Sequence, residues 1–130
     1  MKQVLIWMAA IIALVGGLVW LGQSNKQQTA ADVTFASVTS DLGGGAKLYD
    51  VRTADEYKAG HFAGAINWSL QDMQAGKLPD VAKDTKIYLY CHSGNRSSQT
   101  TTLLKNAGYT NVTDLHGLPD VKAIGGTLIQ

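Results

Sequence analysis

Apolar residues follow two different patterns along this chain. Residues 4–22, VLIWMAAIIALVGGLVWLG, contain no charged residue. As a helix rising about 1.5 Å per residue, this run would extend roughly 28 Å, close to the thickness of the hydrocarbon core of a bilayer. From residue 33 onward, short apolar runs of strand length alternate with segments that carry capping and turn residues. The first pattern indicates a membrane-directed segment, and the second indicates a folded domain.

The apolar segment has two interpretations. It is longer than the usual apolar region of a signal peptide and no small-x-small cleavage pattern follows it directly, which favours an uncleaved transmembrane anchor over residues 1–22. The alternative is a cleaved secretory signal, with Lys2 as its charged start and a cleavage site near Ala31. The positively charged N-terminus favours an orientation in which the N-terminus lies in the cytoplasm. We therefore expect a single-pass inner-membrane protein whose domain faces the periplasm, or a soluble periplasmic domain after cleavage.

Two further regions follow this segment. Residues 23–32 are polar and lack apolar periodicity, so they are predicted to form a flexible linker. Residues 33–130 have the length of an independent domain with a single core. The chain has 11 Lys and Arg residues and 10 Asp and Glu residues. This balance provides no strongly basic surface, and we expect no nucleic-acid partner.

The folded region alternates strand and helix signals. Thr53 precedes Glu56 by three residues, a capping box that predicts a helix from Thr53 to Gly60, and Ser69 is a second N-cap candidate. The predicted strands are 46–52, 64–69, 86–90 and 109–115. The predicted helices lie in 53–60, 69–80 and 97–107, and the second is expected to stop near Gly76 and Pro79. Strands separated by helices indicate a parallel sheet. The sequence therefore predicts an α/β fold, a single domain with a mainly parallel sheet flanked by helices, preceded by an N-terminal transmembrane helix.

Cys91 is the only cysteine of the chain, and it directly follows the strand predicted at 86–90. A lone cysteine is often a buried and unreactive packing residue. In a parallel sheet, however, ligands bind at the carboxyl ends of the strands, and a helix is predicted to begin a few residues after Cys91. This position favours a functional thiol.

The residues between Cys91 and the predicted helix favour the binding of an anion. They are small or compatible with turns, so their backbone N–H groups can converge on one centre, and the N-terminus of the helix adds positive potential. Arg96 contributes a planar donor fork suited to oxyanions. Such surroundings also lower the pKa of a cysteine and increase its nucleophilic fraction. The predicted anion-binding residues are His92, Ser93, Gly94, Asn95 and Ser97.

The motifs of this region resemble those of the rhodanese-like sulfurtransferases in their single-domain form, particularly the small exported members of the phage shock protein E type. The resemblance covers about residues 46–126 and lies in LYDVRTADEYKAGHFAGAINWSL, YLYCHSGNRS and AGYTNVTDLHGLPDVKAIGG. It implies that Cys91 takes a sulfane sulfur from thiosulfate or a related donor as a persulfide. The sulfur then passes to cyanide, a thiol or a protein acceptor.

The resemblance also implies roles for other residues. Arg96 matches the arginine of the family's active-site loop, and Ser97 matches the serine that begins its helix. Asp50 and Arg52 match the family's Asp-x-Arg element, and His61 matches the histidine of its Gly-His element; all three are expected to be structural supports. Within this superfamily, a six-residue loop such as 91–96 accompanies sulfur transfer, and a loop one residue longer accompanies phosphatase chemistry.

Several alternatives remain open at this stage. His92 either lines the loop or acts as a general base. The histidines and the cysteine lack metal-ligand spacing, so we expect neither a metal nor a cofactor. A second cysteine is absent from the chain, so the acceptor has to come from outside. The competing functions are a membrane-tethered persulfide carrier that serves a protein partner with little thiosulfate turnover and, with less support, a phosphatase.

Overall fold

The computed structural model describes residues 33–130, and these residues form an α/β domain. The central sheet has four parallel strands, β1 (Lys47–Asp50), β3 (Ala65–Asn67), β4 (Ile87–Tyr90) and β5 (Val112–Asp114). Their order across the sheet is β3-β1-β4-β5. A separate antiparallel pair joins β2 (His61–Phe62) to β6 (Leu128–Ile129). The prediction of a mainly parallel sheet is confirmed, because each of the four predicted strand regions contains one strand of this sheet.

Five helices accompany the two sheets in the described region. They are α1 (Phe35–Gly43), α2 (Ala54–Ala59), α3 (Leu70–Gln74), α4 (Asn95–Asn106) and α5 (Leu118–Ala123). The capping box before α2 is confirmed, since the Thr53 hydroxyl accepts from the Glu56 N–H and the Glu56 carboxylate accepts from the Thr53 N–H. Ser69 caps α3 as predicted.

The ends of two helices follow from local backbone geometry. α3 ends at Gln74, close to Gly76, one of the two positions at which its end was predicted, because Gly76 takes a positive φ of 89° and the Lys77 N–H bonds back to the Asp72 carbonyl. α4 begins at Asn95 rather than at residue 97, because Gly94 serves as its N-cap. The first turn of α4 therefore includes part of the predicted loop.

The central strand β4 is buried on both faces, as expected for a parallel sheet covered by helices. Tyr88 and Tyr90 pack on the face that also buries Val38 of α1 and Val121 of α5. Residues 87, 89 and 91 point to the other face, where the core includes Met73 of α3 and Leu104 of α4. The alternation along β4 extends one residue beyond the strand and therefore brings the cysteine side chain into this second core cluster.

The predicted membrane segment at 1–22 and the linker at 23–32 lie outside the described residues. Between residues 33 and 130, no helix is long and apolar enough to cross a bilayer. The predicted domain bounds 1–22, 23–32 and 33–130 stay predictions.

Candidate active site

Cys91 lies at the carboxyl end of the central strand β4, where the following loop is tied to the segment after β5. The Cys91 N–H donates to the His116 carbonyl at 2.9 Å, and the Leu118 N–H donates to the His92 carbonyl at 3.0 Å. Ser93 and Gly117 form an isolated antiparallel bridge. These backbone bonds hold the loop in one position at the edge of the sheet, which is where ligands bind in parallel α/β folds.

The Cys91 sulfur is enclosed by the loop and by the first turn of α4. The residue is fully buried, and the Gly94 N–H donates to its Sγ at 2.9 Å. The Ser97 hydroxyl accepts from the Cys91 thiol at 3.5 Å and donates to the Gly94 carbonyl at 3.1 Å. A backbone N–H donor and the N-terminus of a helix favour negative charge at this position. The geometry therefore suits a thiolate or a sulfur-bound anion.

The remaining predicted loop residues lie around this centre in different ways. His92, Ser93 and Asn95 are exposed, and the Asn95 side chain accepts from Gln99 one turn further along α4. Gly94 has a φ of 99°, a left-handed conformation that glycine adopts without strain. The structure thus brings Cys91, Gly94 and Ser97 together, whereas the side chains at 92, 93 and 95 face outward.

Arg96 lies next to this centre with its guanidinium already paired. Its Nη1 and Nη2 donate to Glu56 Oε1 and Oε2 at 2.7 and 2.9 Å. Hydrogen bonding from Arg96 lowers the pKa of Glu56 to about 2, and the same bonds raise the pKa of Arg96. From the sequence, Glu56 was predicted only as a capping residue. Its contact with Arg96 could not be predicted, because the two residues are 40 positions apart in the chain.

The Asp-x-Arg element forms a buried ion pair beneath the site. Arg52 Nη2 lies 2.6 Å from Asp50 Oδ2 and also donates to the Gly60 carbonyl at 2.6 Å. The Tyr90 hydroxyl donates to the same Asp50 oxygen at 2.9 Å, and burial raises the pKa of Tyr90. Asn67, which sequence reasoning missed, donates to the carbonyls of Asp50 and Arg52. This network joins β1, β3 and β4 with its charges paired.

His61 and His116 occupy different positions near the site. The His61 ring stacks on Tyr57 with centroids 3.8 Å apart, and its Nδ1 lies 2.9 Å from the Tyr57 carbonyl. His116 was not predicted as a site residue, yet its carbonyl accepts from the Cys91 N–H. It has a φ of 70°, which is uncommon for a residue other than glycine and concentrates at functional sites.

A depression of about 330 Å³ opens beside the loop. Its wall combines polar side chains, Arg52, Glu56 and His92, with the apolar side chains of Leu118 and Leu128. Among residues 33–130, no group of three or more His, Cys, Asp and Glu side chains is arranged to hold a metal ion.

The family model for the rhodanese-like domain matches residues 34–117, which include all the residues of this site except Leu118 and Leu128. The chain belongs to the rhodanese-like family. The resemblance inferred from the motifs is thereby confirmed, and the rhodanese-like domain occupies most of the described region.

Curated relatives of this rhodanese-like domain include sulfurtransferases. The chain is 36% identical over 75 residues to the thiosulfate sulfurtransferase PspE of Escherichia coli, covering 55% of this chain and 70% of PspE. It is 37% identical over 108 residues to the chloroplastic thiosulfate sulfurtransferase 16 of Arabidopsis thaliana, covering 75% and 88% of the two chains. A match of 40% over 78 residues to the adenylyltransferase and sulfurtransferase UBA4 of Saccharomyces cerevisiae covers 52% of this chain and only 18% of UBA4.

Solved structures give the same family. The rhodanese-like domain of the Alr3790 protein from Anabaena is 32% identical, with a TM-score of 0.59 over 65% of this chain and 99% of that chain. A rhodanese with anions from Escherichia coli is also 32% identical, with a TM-score of 0.53 over 65% and 96% of the two chains. The domain is therefore a member of the rhodanese-like sulfurtransferase family.

Proposed function

We propose that this protein is a thiosulfate sulfurtransferase in which Cys91 carries the transferred sulfur as a persulfide. The observation that carries the proposal is the Gly94 N–H at 2.9 Å from the Cys91 sulfur, at the carboxyl end of β4 and beside the N-terminus of α4. A persulfide of Cys91 extends the anionic sulfur by one atom. Backbone donors of the loop stabilise such a charge without reorganisation at the moment of reaction.

The first half-reaction is a displacement at sulfur. The Cys91 thiolate attacks the outer sulfur of thiosulfate, the bond between the two sulfur atoms of thiosulfate breaks, and sulfite leaves with the electron pair. The enzyme then holds a Cys91 persulfide anion, so the total charge of −3 is the same on both sides. Arg96 is proposed to stabilise the negative charge of the donor and of the departing sulfite. His92 is proposed to line the entrance rather than to act as a base, because a thiolate nucleophile needs none.

The second half-reaction delivers the sulfur to an acceptor from outside the chain. Cyanide attacks the terminal persulfide sulfur, thiocyanate forms, and the Cys91 thiolate is restored. A small thiol or a cysteine of another protein can accept the sulfur in the same way. The depression beside the loop, with Leu118 and Leu128 in its wall, offers a surface of suitable size for the organic part of a thiol acceptor.

The deciding experiment measures thiocyanate formed from thiosulfate and cyanide by the full-length protein and its Cys91→Ala variant. We expect turnover by the parent protein and a rate indistinguishable from the uncatalysed reaction in the variant. Circular dichroism establishes that the variant is folded. Equal turnover by both proteins would exclude the proposed role of Cys91.

A second candidate is a persulfide carrier that serves a protein partner and turns thiosulfate over slowly. The match to UBA4 favours it, since the matched segment is 18% of a longer sulfurtransferase and so one part of a larger chain. Under this candidate, the protein isolated under non-reducing conditions should already contain a stable additional sulfur. Isolation of the sulfur-free form alone, together with fast thiosulfate turnover, would exclude it.

We further propose that residues 1–22 anchor the domain in the inner membrane with the domain in the periplasm. The support is the uncharged run at 4–22 and the positively charged N-terminus. The intact mass of the protein in the membrane fraction tests this directly. A mass that corresponds to loss of the N-terminal segment would show that the segment is a cleaved signal and not an anchor.

A further inference from the structure

Glu56 forms an ion pair with Arg96, the arginine that a donor anion would be expected to bind. Both of its carboxylate oxygens accept from the Arg96 guanidinium in a bidentate pair. The side chains are 27% exposed for Arg96 and 32% exposed for Glu56, so water and ligands can reach the pair. The donor fork of Arg96 is thus filled by a carboxylate from α2 while it remains accessible.

The Glu56 carboxylate is held by a second set of contacts. Its Oε1 accepts from the Thr53 hydroxyl at 3.2 Å and from the Thr53 N–H at 3.5 Å, as the capping box of α2. A surface ion pair between two long side chains loses much of its value to side-chain entropy. Here one partner is fixed by its own helix, so less entropy is lost when the pair forms. The carboxylate is a positioned feature of the site.

The pair lies close to the reacting sulfur. Glu56 is in the wall of the depression that opens beside the loop, together with His92 from that loop. Arg96 lies in the first turn of the helix that begins directly after Gly94, the donor to the Cys91 sulfur. Electrostatic interaction with Cys91 also contributes to the raised pKa of Arg96. An anionic donor that enters the depression therefore meets the Glu56 carboxylate in its wall, where the one arginine of the same wall, Arg52, is already paired with Asp50.

We infer that Glu56 is a specificity-determining residue that disfavours doubly charged sulfur donors relative to singly charged ones. Repulsion from a fixed carboxylate grows with the charge of the ligand. Thiosulfate carries two negative charges, whereas an organic thiosulfonate such as methanethiosulfonate carries one. This inference rests on the proposed sulfur transfer through Cys91, and it assigns to Glu56 the discrimination of that site between donors of different charge.

The singly charged donors undergo the same displacement. With methanethiosulfonate, the Cys91 thiolate attacks the terminal sulfur, the sulfur–sulfur bond breaks, and methanesulfinate leaves with the electron pair. A Cys91 persulfide anion remains, and the total charge of −2 is unchanged. The two donors thus transfer the same sulfur atom to the same residue and differ in charge and in the leaving group.

The test compares both donors in the full-length protein and its Glu56→Gln variant. Glutamine keeps the size and the oxygen acceptor that the capping box uses, and it removes the charge. We expect KM for thiosulfate to fall roughly three- to tenfold, as for the loss of one partly exposed charge. Because a single charge feels half of the repulsion energy, KM for methanethiosulfonate should fall by roughly the square root of that factor. The difference should shrink as salt is added.

The matched control is Asp55→Asn, which removes the same charge from the neighbouring exposed position of α2. We expect this control to leave both KM values unchanged. Equal changes for the two donors in Glu56→Gln, or an unchanged or higher KM for thiosulfate, would overturn the inference. If Glu56 had only a structural role, the substitution would change KM for both donors by the same factor.

A binding measurement separates this inference from the proposed catalysis. Sulfate and methanesulfonate are unreactive anions of charge −2 and −1, and the Gly94 amide resonance reports their binding in NMR titrations. We expect Glu56→Gln to bind sulfate several-fold more tightly than the parent protein and methanesulfonate more tightly by only roughly the square root of that factor. This result would stand even if thiocyanate formation failed. Unchanged sulfate affinity would overturn the inference while leaving sulfur transfer intact.

Discussion

At the scale of single residues, the chemistry depends on what surrounds one buried sulfur. The Ser97 hydroxyl is fully buried and lies between the Cys91 sulfur and the Gly94 carbonyl, at 3.5 and 3.1 Å. A hydroxyl can turn its hydrogen toward either neighbour. When Cys91 is a thiolate, the sulfur is the more negative of the two, so Ser97 becomes one of its donors.

Replacing Ser97 with alanine should therefore slow persulfide formation. The loss of one long hydrogen bond to a charged sulfur, at the weak end of such bonds, corresponds to a rate reduction of roughly tenfold. A single-turnover experiment with thiosulfate, in which the release of sulfite is monitored, measures the rate of this step. Ser98→Ala, on the exposed side of the same turn, is the control and should react at the parental rate. A Ser97→Ala rate equal to that of the control would show that this hydroxyl has no part in the step.

Residue by residue, the sequence permitted only part of this site to be predicted. Cys91 and Arg96 could be identified because they lie at the two ends of a short loop between a strand and a helix. Their electrostatic environment could not be predicted, because the contact of Arg96 with Glu56 depends on where α2 lies in the folded domain. The role of the His116 carbonyl was equally hidden, since a backbone acceptor has no signature in residue type.

At the scale of elements, the loop after β4 is held by close backbone packing against the start of α5. A Cβ built on Gly117 would lie 2.7 Å from the His92 carbonyl oxygen and 3.0 Å from the Ser93 backbone. All three of these close atoms belong to the backbone, so no flexible side chain could move away to make room. Glycine at 117 therefore fixes the distance between the active-site loop and the segment that follows β5.

Gly117→Ala should displace the loop and reduce sulfur transfer more than tenfold, with a cost to stability of about 2 kcal/mol from overpacking. Urea unfolding and the thiocyanate assay measure the two effects. Gly43→Ala is the control, because no atom lies within 4 Å of a Cβ at that position. Full activity of Gly117→Ala would mean that the loop tolerates the displacement.

The elements themselves were largely predictable, and the misses have local causes. The strands of the main sheet were marked by apolar runs, and α2 and α3 by their N-caps. α1 was missed because its capping box pairs Thr34 with Ser37 rather than with Glu or Gln. The pair β2 and β6 was missed because two-residue strands carry no periodicity, and their pairing joins residues far apart in the chain.

At the scale of the whole molecule, ion pairs connect elements that are distant in sequence. Glu56 of α2 pairs with Arg96 of α4, and Asp41 of α1 pairs with Lys86 before β4 at 2.8 Å. Hydrogen bonding from Lys86 and Tyr88 lowers the pKa of Asp41. The two carboxylates thus favour the folded state while they are ionised.

The pH dependence of stability follows from these two pKa values. A carboxyl group whose pKa is lowered by folding contributes stability above its unfolded pKa and loses that contribution as the pH falls toward its folded pKa. For Glu56, this interval extends from its ordinary value of 4.5 down to about 2. Because the pair is partly exposed, we expect a loss of about 1 kcal/mol over the interval.

Urea unfolding at a series of pH values measures this loss. The Glu56→Gln variant has no carboxyl group at this position to titrate, so its unfolding free energy should fall less steeply below pH 4.5 than that of the parent protein. Asp55→Asn again serves as the control and should retain the parental slope. Identical slopes in Glu56→Gln and the parent would show that the pair contributes nothing to acid stability.

The most direct test of the account is the intact mass of the full-length protein after incubation with thiosulfate under non-reducing conditions. The account predicts that the parent protein gains one sulfur atom, loses it again on addition of cyanide, and that the folded Cys91→Ser variant gains none. A parent protein that gains no sulfur, or a Cys91→Ser variant that gains as much, would contradict sulfur transfer through Cys91.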